Sequence, residues 1–127
     1  MSQDQEIVSK FWNLFGEGKF AEAGKLMDRE SIVHWPNTRE VFRGRDRFVS
    51  VNEKYPGTWV ISLEKLMSIN DIVVSVVKVE SPDQIQSCYA TSFFTIENGL
   101  IMEIVEYWSD NGEPPQWRIE AGLSERY

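Results

Sequence analysis

The chain holds one cysteine and one histidine. A lone Cys88 excludes an intramolecular disulfide and reads as a small apolar residue. A lone His34 excludes an HxxxH pair. No other metal-ligand set, glycine-rich phosphate loop or G-x-S-x-G elbow stands in its place. Metal, nucleotide and serine-hydrolase chemistry therefore have no carrier, and no metal or cofactor is expected. Positive charge is scarce, with 13 Lys and Arg against 20 Asp and Glu, for a net charge of −7. Such a chain repels phosphate backbones and anionic lipid, so neither nucleic acid nor a membrane is an expected partner. No apolar run approaches the roughly 20 residues of a membrane span, and no basic segment with an apolar stretch opens the chain. A cytoplasmic protein follows as the expectation. Repeats, low-complexity tracts and long linkers are missing too. One domain over 1–127 is expected, and at this length about two thirds of the unfolded surface can be buried.

What the chain does have is aromatic side chains, 13% of its residues. Ile7, Phe11, Leu14 and Phe15 recur at helical spacing behind a cap at Ser2 or Asp4, and Gly16 and Gly18 end that helix. A second helix is expected in "KFAEAGKLMD". "SIVHW" and "REVFR" read as short strands around a Pro-Asn turn. Phe48, Val51 and Tyr55 mark a third helix that Pro56 closes. "TWVISLEKLMSI", "DIVVSVVKVE", "SCYATSFFTI" and "LIMEIVEYW" then read as four strands of a meander, followed by an irregular tail. Helices that segregate from an antiparallel meander define an α+β class.

Asn98-Gly99 is the strongest local signal, a two-residue type I′ hairpin that pairs Glu97 with Leu100. An unbroken ladder from that turn sets Phe93 opposite Ile104, Thr91 opposite Glu106 and Tyr89 opposite Trp108. One face then carries Tyr89, Thr91, Phe93, Met102, Ile104, Glu106 and Trp108. A similar turn at Asn70-Asp71 adds Trp59, Ile61, Leu63 and Met67. This face suits a sheet packed on helices at one end and open as a pocket at the other. The opposite face, with Val73, Val77, Val79, Ala90, Phe94, Val105 and Tyr107, is too apolar for water. It is expected to form a homodimer, with Ser75, Ala90 and Ser92 small enough for close approach.

The order of helix, short helix, a "VHWP" strand, a glycine-led third helix and a meander ending in "IVEYW" resembles the nuclear transport factor 2-like superfamily. Within it the chain is similar to the SnoaL-like polyketide cyclases, ketosteroid isomerases and limonene epoxide hydrolases. The resemblance implies a cone-shaped roll: three N-terminal helices packed into a curved, mostly antiparallel sheet around an inner pocket. It also implies a dimer. In the isomerases the general base is an aspartate before the proline of the first strand, and the matching position here is Trp35. Their oxyanion tyrosine falls on Phe11. Both groups are missing. The epoxide hydrolases and cyclases place an acid on the last strand, and "IVEYWSD" supplies Glu106. Their Arg-Asp pair has no counterpart in "CYATSFF".

Glu106 is thus the candidate acid or base. The competing reading is an outward strand carboxylate, or a partner for Lys78 or Arg118. Strand alternation turns His34 away if Trp35 faces the pocket, which makes His34 the weaker candidate. Phe11, Trp12, Trp35, Tyr55, Trp59, Tyr89, Thr91 and Trp108 are candidate walls for a small hydrophobic ligand. The aromatics among them serve equally well as core. Arg39, Arg43, Arg45 and Arg47 form a basic run that reads as a solvated face or as inter-subunit ion pairs, ahead of a site for an anionic substrate. Three functions stay open. One is a SnoaL-like lyase, isomerase or hydrolase using Glu106. Another is a dimeric carrier or sensor that leaves its ligand unchanged. The last is an assembly module with a filled cone.

Overall fold

A computed structural model describes residues 1–127. Ser2 begins the first helix, α1 (Gln3–Gly16), with a capping box. Its hydroxyl accepts from the Gln5 amide, and the Gln5 side chain accepts from the Ser2 amide. A short α2 (Phe20–Gly24) follows, and β1 (Met27–Trp35) begins at once. Here the sequence reading changes. The expected second helix continues to residue 28, but the chain turns extended at Met27, opposite Ile101 of the last strand. Pairing in the sheet outweighs the weak propensity of a one-turn helix. Gly24 allows α2 to lie hard against the third helix, since a Cβ there would sit 2.8 Å from Val49 Cγ2.

A turn through Pro36–Arg39 leads to β2 (Glu40–Arg43) and α3 (Arg45–Lys54). The meander is β3 (Val60–Ile69), β4 (Ile72–Glu80), β5 (Ser87–Glu97) and β6 (Leu100–Asp110). The tail is not irregular throughout, because Gln116–Ala121 forms α4. One six-stranded sheet runs in the order β2-β1-β6-β5-β4-β3. It is antiparallel except for β1 beside β6. The helices segregate from it, and the class is α+β.

The core lies between α1–α3 and the inner face of the sheet. Phe11 stacks on Phe15 at 4.5 Å and meets Phe94 edge-on at 5.5 Å. Val8, Met27, Val33, Phe48, Val77, Ala90, Ile101 and Ile104 are buried around them. Each large side chain among these contributes about 1.5–3 kcal/mol by leaving water.

The Asn98-Gly99 turn forms with φ of 52° and 77°, as a type I′ turn requires. Glu97 pairs with Leu100 and Ile96 with Ile101, but the ladder then breaks. Thr95 stands opposite Glu103, which leaves Met102 as an extra residue. This β-bulge slides β6 by one position. Its cause is the spacing of Ile101 and Ile104. Three residues apart, they fall on opposite faces of a regular strand, yet both are fully buried in the core. The expected ladder is therefore corrected. Glu106 faces Ser92 rather than Thr91, Ile104 faces Phe94, and Trp108 faces Ala90. Tyr89, Thr91 and Phe93 lie on the outer face. A second bulge at Glu64, between Leu63 and Lys65, likewise brings Leu63 and Leu66 to one side and turns Met67 outward.

The assignment of the outer face changes with the register. Val73, Val77, Val79, Ala90 and Phe94 are core residues with at most 7% exposure, and Ser75 and Ser92 are buried beside them. Val105 and Tyr107 do lie outside. Tyr107 is 48% exposed, edge-on to Phe93 at 6.0 Å.

Candidate functional site

Glu106 sits mid-strand on the inner face of β6 and is 1% exposed. Trp35, at the end of β1, donates its indole N–H to Glu106 Oε1 at 2.9 Å. On the other side, Ser92 Oγ donates to Oε2 at 3.0 Å. No lysine or arginine pairs with the carboxyl. Lys78 is 3.7 Å from Glu80 instead, and the Arg118 guanidinium lies over the Trp117 ring. Burial pushes the Glu106 carboxyl above the usual carboxylate range, and the bonds from Trp35 and Ser92 oppose that shift.

The bonding suits two protonation states. The Trp35 indole can only donate, so Oε1 is always an acceptor. The Ser92 hydroxyl donates to an ionised Oε2 and accepts from a protonated one. The polar row extends across the sheet. Ser75 is the neighbour of Ser92 on β4, and its Oγ accepts from the Trp12 indole at 2.9 Å. Tryptophans thus cap both ends of a row Trp12–Ser75–Ser92–Glu106–Trp35 in an otherwise apolar interior. The sequence reading placed Ser75 and Ser92 on the outer face as small dimer-contact residues, whereas both are buried on the inner one. The available signal was a lone serine inside each of the apolar runs "VVSVV" and "ATSFF".

Trp108, two residues beyond Glu106 on the same face, meets Trp35 edge-on at 6.2 Å. Its backbone N–H donates to Asn37 Oδ1 at 2.7 Å, which ties the strand to the Pro36–Arg39 turn. Its indole N–H is buried without a partner, as are Ser31 Oγ and His34 Nδ1. A buried donor left unpaired costs about 1–3 kcal/mol and is a place where an acceptor would bind favourably.

The remaining candidate walls divide. Phe11 and Trp12 are buried core residues, 0% and 3% exposed. Trp59 is half-buried against the core, and its indole donates to the Pro56 carbonyl at 3.0 Å. Tyr55 is exposed and edge-on to Trp59 at 6.1 Å. Tyr89 and Thr91 share no face with Glu106. His34 alternates with Trp35 and lies on the outer face, between Val41 and Val105. Around Glu106 the interior is filled, with Phe11, Phe48 and Phe94 at most 1% exposed. Two hollows lie on the surface. One of about 480 Å³ lies on the outer face between Thr91, Phe93, Val105 and Tyr107. The other, about 450 Å³, is a polar cleft at the start of α3 that includes Arg29, Arg43 and Arg47. No three His, Cys, Asp or Glu side chains come close enough to hold a metal ion. No helix is long and apolar enough to cross a membrane.

No family model and no curated protein sequence matches the chain. Solved structures do. A provisionally assigned ketosteroid isomerase from Kribbella flavida DSM 17836 superposes with a TM-score of 0.84 at 22% identity, covering 98% of this chain and 90% of that one. An NTF-2 like protein of unknown function from Burkholderia xenovorans LB400 gives 0.81 at 18%, covering 98% and 95%. An LEH-like epoxide hydrolase from M. tuberculosis gives 0.71 at 12%, covering 84% and 83%. At these identities the likeness establishes the fold. The chain has the nuclear transport factor 2-like fold that its strand order and "IVEYW" ending suggested.

Proposed function

We propose that the inside of the cone is a small-molecule site in which Glu106 acts as acid or base on a small hydrophobic, carbonyl-bearing substrate. The reaction class is that of a lyase, isomerase or hydrolase. The observation that carries this reading is a fully buried carboxyl with no cation beside it. Burying an uncompensated carboxylate costs several kcal/mol, and a glutamine would satisfy Trp35 and Ser92 equally well. A buried carboxyl kept where a glutamine would cost less is a functional-site candidate. As an acid, Glu106 gives its Oε2 proton to a substrate oxygen, and Trp35 and Ser92 stabilise the carboxylate that remains. As a base it takes the proton back. The unpaired Trp108 indole is a second donor for a substrate oxygen.

The test is turnover of a panel of small hydrophobic ketones and epoxides by the wild-type protein and by Glu106→Gln. The expected loss in the variant is about 10²–10⁴-fold, the range for an acid or base group, with binding retained. Equal turnover by the two proteins would overturn the assignment.

A second reading is favoured by the filled interior and the apolar outer face: a homodimer joined through that face, binding or assembling without chemistry. The outer row runs Val41–His34–Val105–Phe93–Val74–Met67 across all six strands, and five of its six members are apolar. Sedimentation equilibrium at micromolar concentration is expected to show the dimer. A single species of 14.8 kDa would exclude it.

A further inference from the structure

The segment after Asp110 touches almost nothing in its own chain. From 111 to 127 every residue but Pro114 is exposed, including Trp117 at 69%, Ile119 at 49% and Leu123 at 93%. Large apolar side chains held in water cost free energy that a solvated tail of polar residues would avoid. The segment is nevertheless organised. At its root the Asn111 amide donates to the Ser87 carbonyl at 3.0 Å, and Asn111 Nδ2 donates to Ser87 Oγ at 2.9 Å. Pro114 and Pro115 then impose extended backbone, with Pro115 at φ −64° and ψ 152°. Arg126 pairs with Glu113 across the segment. It is a stiff arm, fixed in direction at its root and held off the body.

We propose that this C-terminal arm clasps a second copy of the chain, laying Trp117 of α4 on the outer hollow formed by Thr91, Phe93, Val105 and Tyr107. The inference rests on the dimer reading, with the arm rather than direct sheet-to-sheet contact covering Phe93 and Val105, and is independent of Glu106. Dimensions fit. The five residues 111–115 and the six-residue α4 span at most about 26 Å end to end, enough to cross a six-stranded sheet at about 4.8 Å per strand. Charge fits as well. Lys65 is in the outer row Tyr107–Thr91–Val76–Lys65 and has no ion-pair partner within its chain, and Glu125 of the arm has none either. Twofold symmetry makes the exchange reciprocal, so each arm covers the face that the other copy leaves open.

A chain ending at Asp110 tests this against the full chain by sedimentation equilibrium. The arm makes no core contact, so the shortened chain should fold. We expect the full chain to dimerise and the truncation to raise the dissociation constant at least tenfold. A truncated dimer of unchanged strength overturns the arm and leaves the dimer standing. A monomeric full chain overturns both. Cysteine pairing checks the partner in a Cys88→Ser background. Trp117→Cys and Thr91→Cys chains, mixed and oxidised, should join as an inter-chain disulfide. A chain carrying both substitutions that closes only within itself would show that the arm folds back on its own sheet and would overturn the exchange.

Discussion

The two faces of one sheet differ more than their sequences do. On β5, Phe93 and Phe94 are neighbours of the same type. Phe94 is fully buried against Phe11 and Trp12, while Phe93 lies on the outer face beside Tyr107 with no helix above it. The inner face is close-packed around one carboxyl. The outer face carries one apolar row from Val41 to Met67 but also Lys65, Lys78 and Thr91, and it is uncovered. For the two phenylalanines residue type does not decide the outcome; register does, and the bulge at Met102 decides which residues of β5 share a face with Glu106.

The largest expected effect breaks this contrast directly. Phe94→Ala should destabilise by about 3–5 kcal/mol through lost burial and a cavity that the neighbouring rings cannot fill. Phe93→Ala should cost less than about 1 kcal/mol in a dilute monomer and should act on association instead. Urea unfolding of both variants decides it. If Phe93 proved the costlier residue, the unbroken ladder would be right, and Phe93 and Thr91 would share the inner face with Glu106.

The same pair shows how far the sequence could be read. The Asn98-Gly99 turn, the four meander strands and the glycine-led α3 were all legible, because turn chemistry and strand alternation are local. The identity of Glu106 as an inward residue was legible too, but for an incomplete reason. Its expected partner was Thr91, and the bulge replaced Thr91 with Ser92. The clue was available in Ile101-x-x-Ile104 and Leu63-x-x-Leu66, apolar pairs whose spacing no regular strand can bury together. Trp12–Ser75 and Trp35–Glu106 were beyond reach. These contacts join residues 63 and 71 positions apart, and only the helix packed on the sheet and the pairing of β1 with β6 bring them together.

Glu106 sharpens the comparison by pH. Its folded-state carboxyl is held above the ordinary value by burial, so the neutral form is the one the fold favours. The stability it contributes is fully present below the unfolded value of about 4.3. It is lost as the pH rises through the higher folded value. Glu106→Gln is permanently neutral, with its amide placed to donate to Ser92. The two proteins should therefore melt together near pH 4, and the wild type should melt lower as the pH rises. Each pKa unit of separation is worth about 1.4 kcal/mol, enough to move the midpoint by several degrees in a domain of this size. Melting curves that stay parallel at every pH would show that water reaches the carboxyl.

His34 gives the smallest effect and tests the outer face from the other side. It is the one polar member of the row from Val41 to Met67, and its Nδ1 is buried without a partner. Alternation separates it from Glu106 by the thickness of the sheet, so it cannot exchange a proton with the inner site. His34→Ala removes a few contacts with Val41 and Val105 and relieves one unsatisfied nitrogen. These terms oppose each other, and the net change should stay within about 1 kcal/mol. Turnover by the inner site should be unaltered. If His34→Ala abolished turnover while the circular dichroism and melting point were preserved, the histidine would be part of the chemistry, and the separation of the two faces would fail at β1. If instead it changed only the dimer dissociation constant, the outer row would be the contact surface that its apolar run describes.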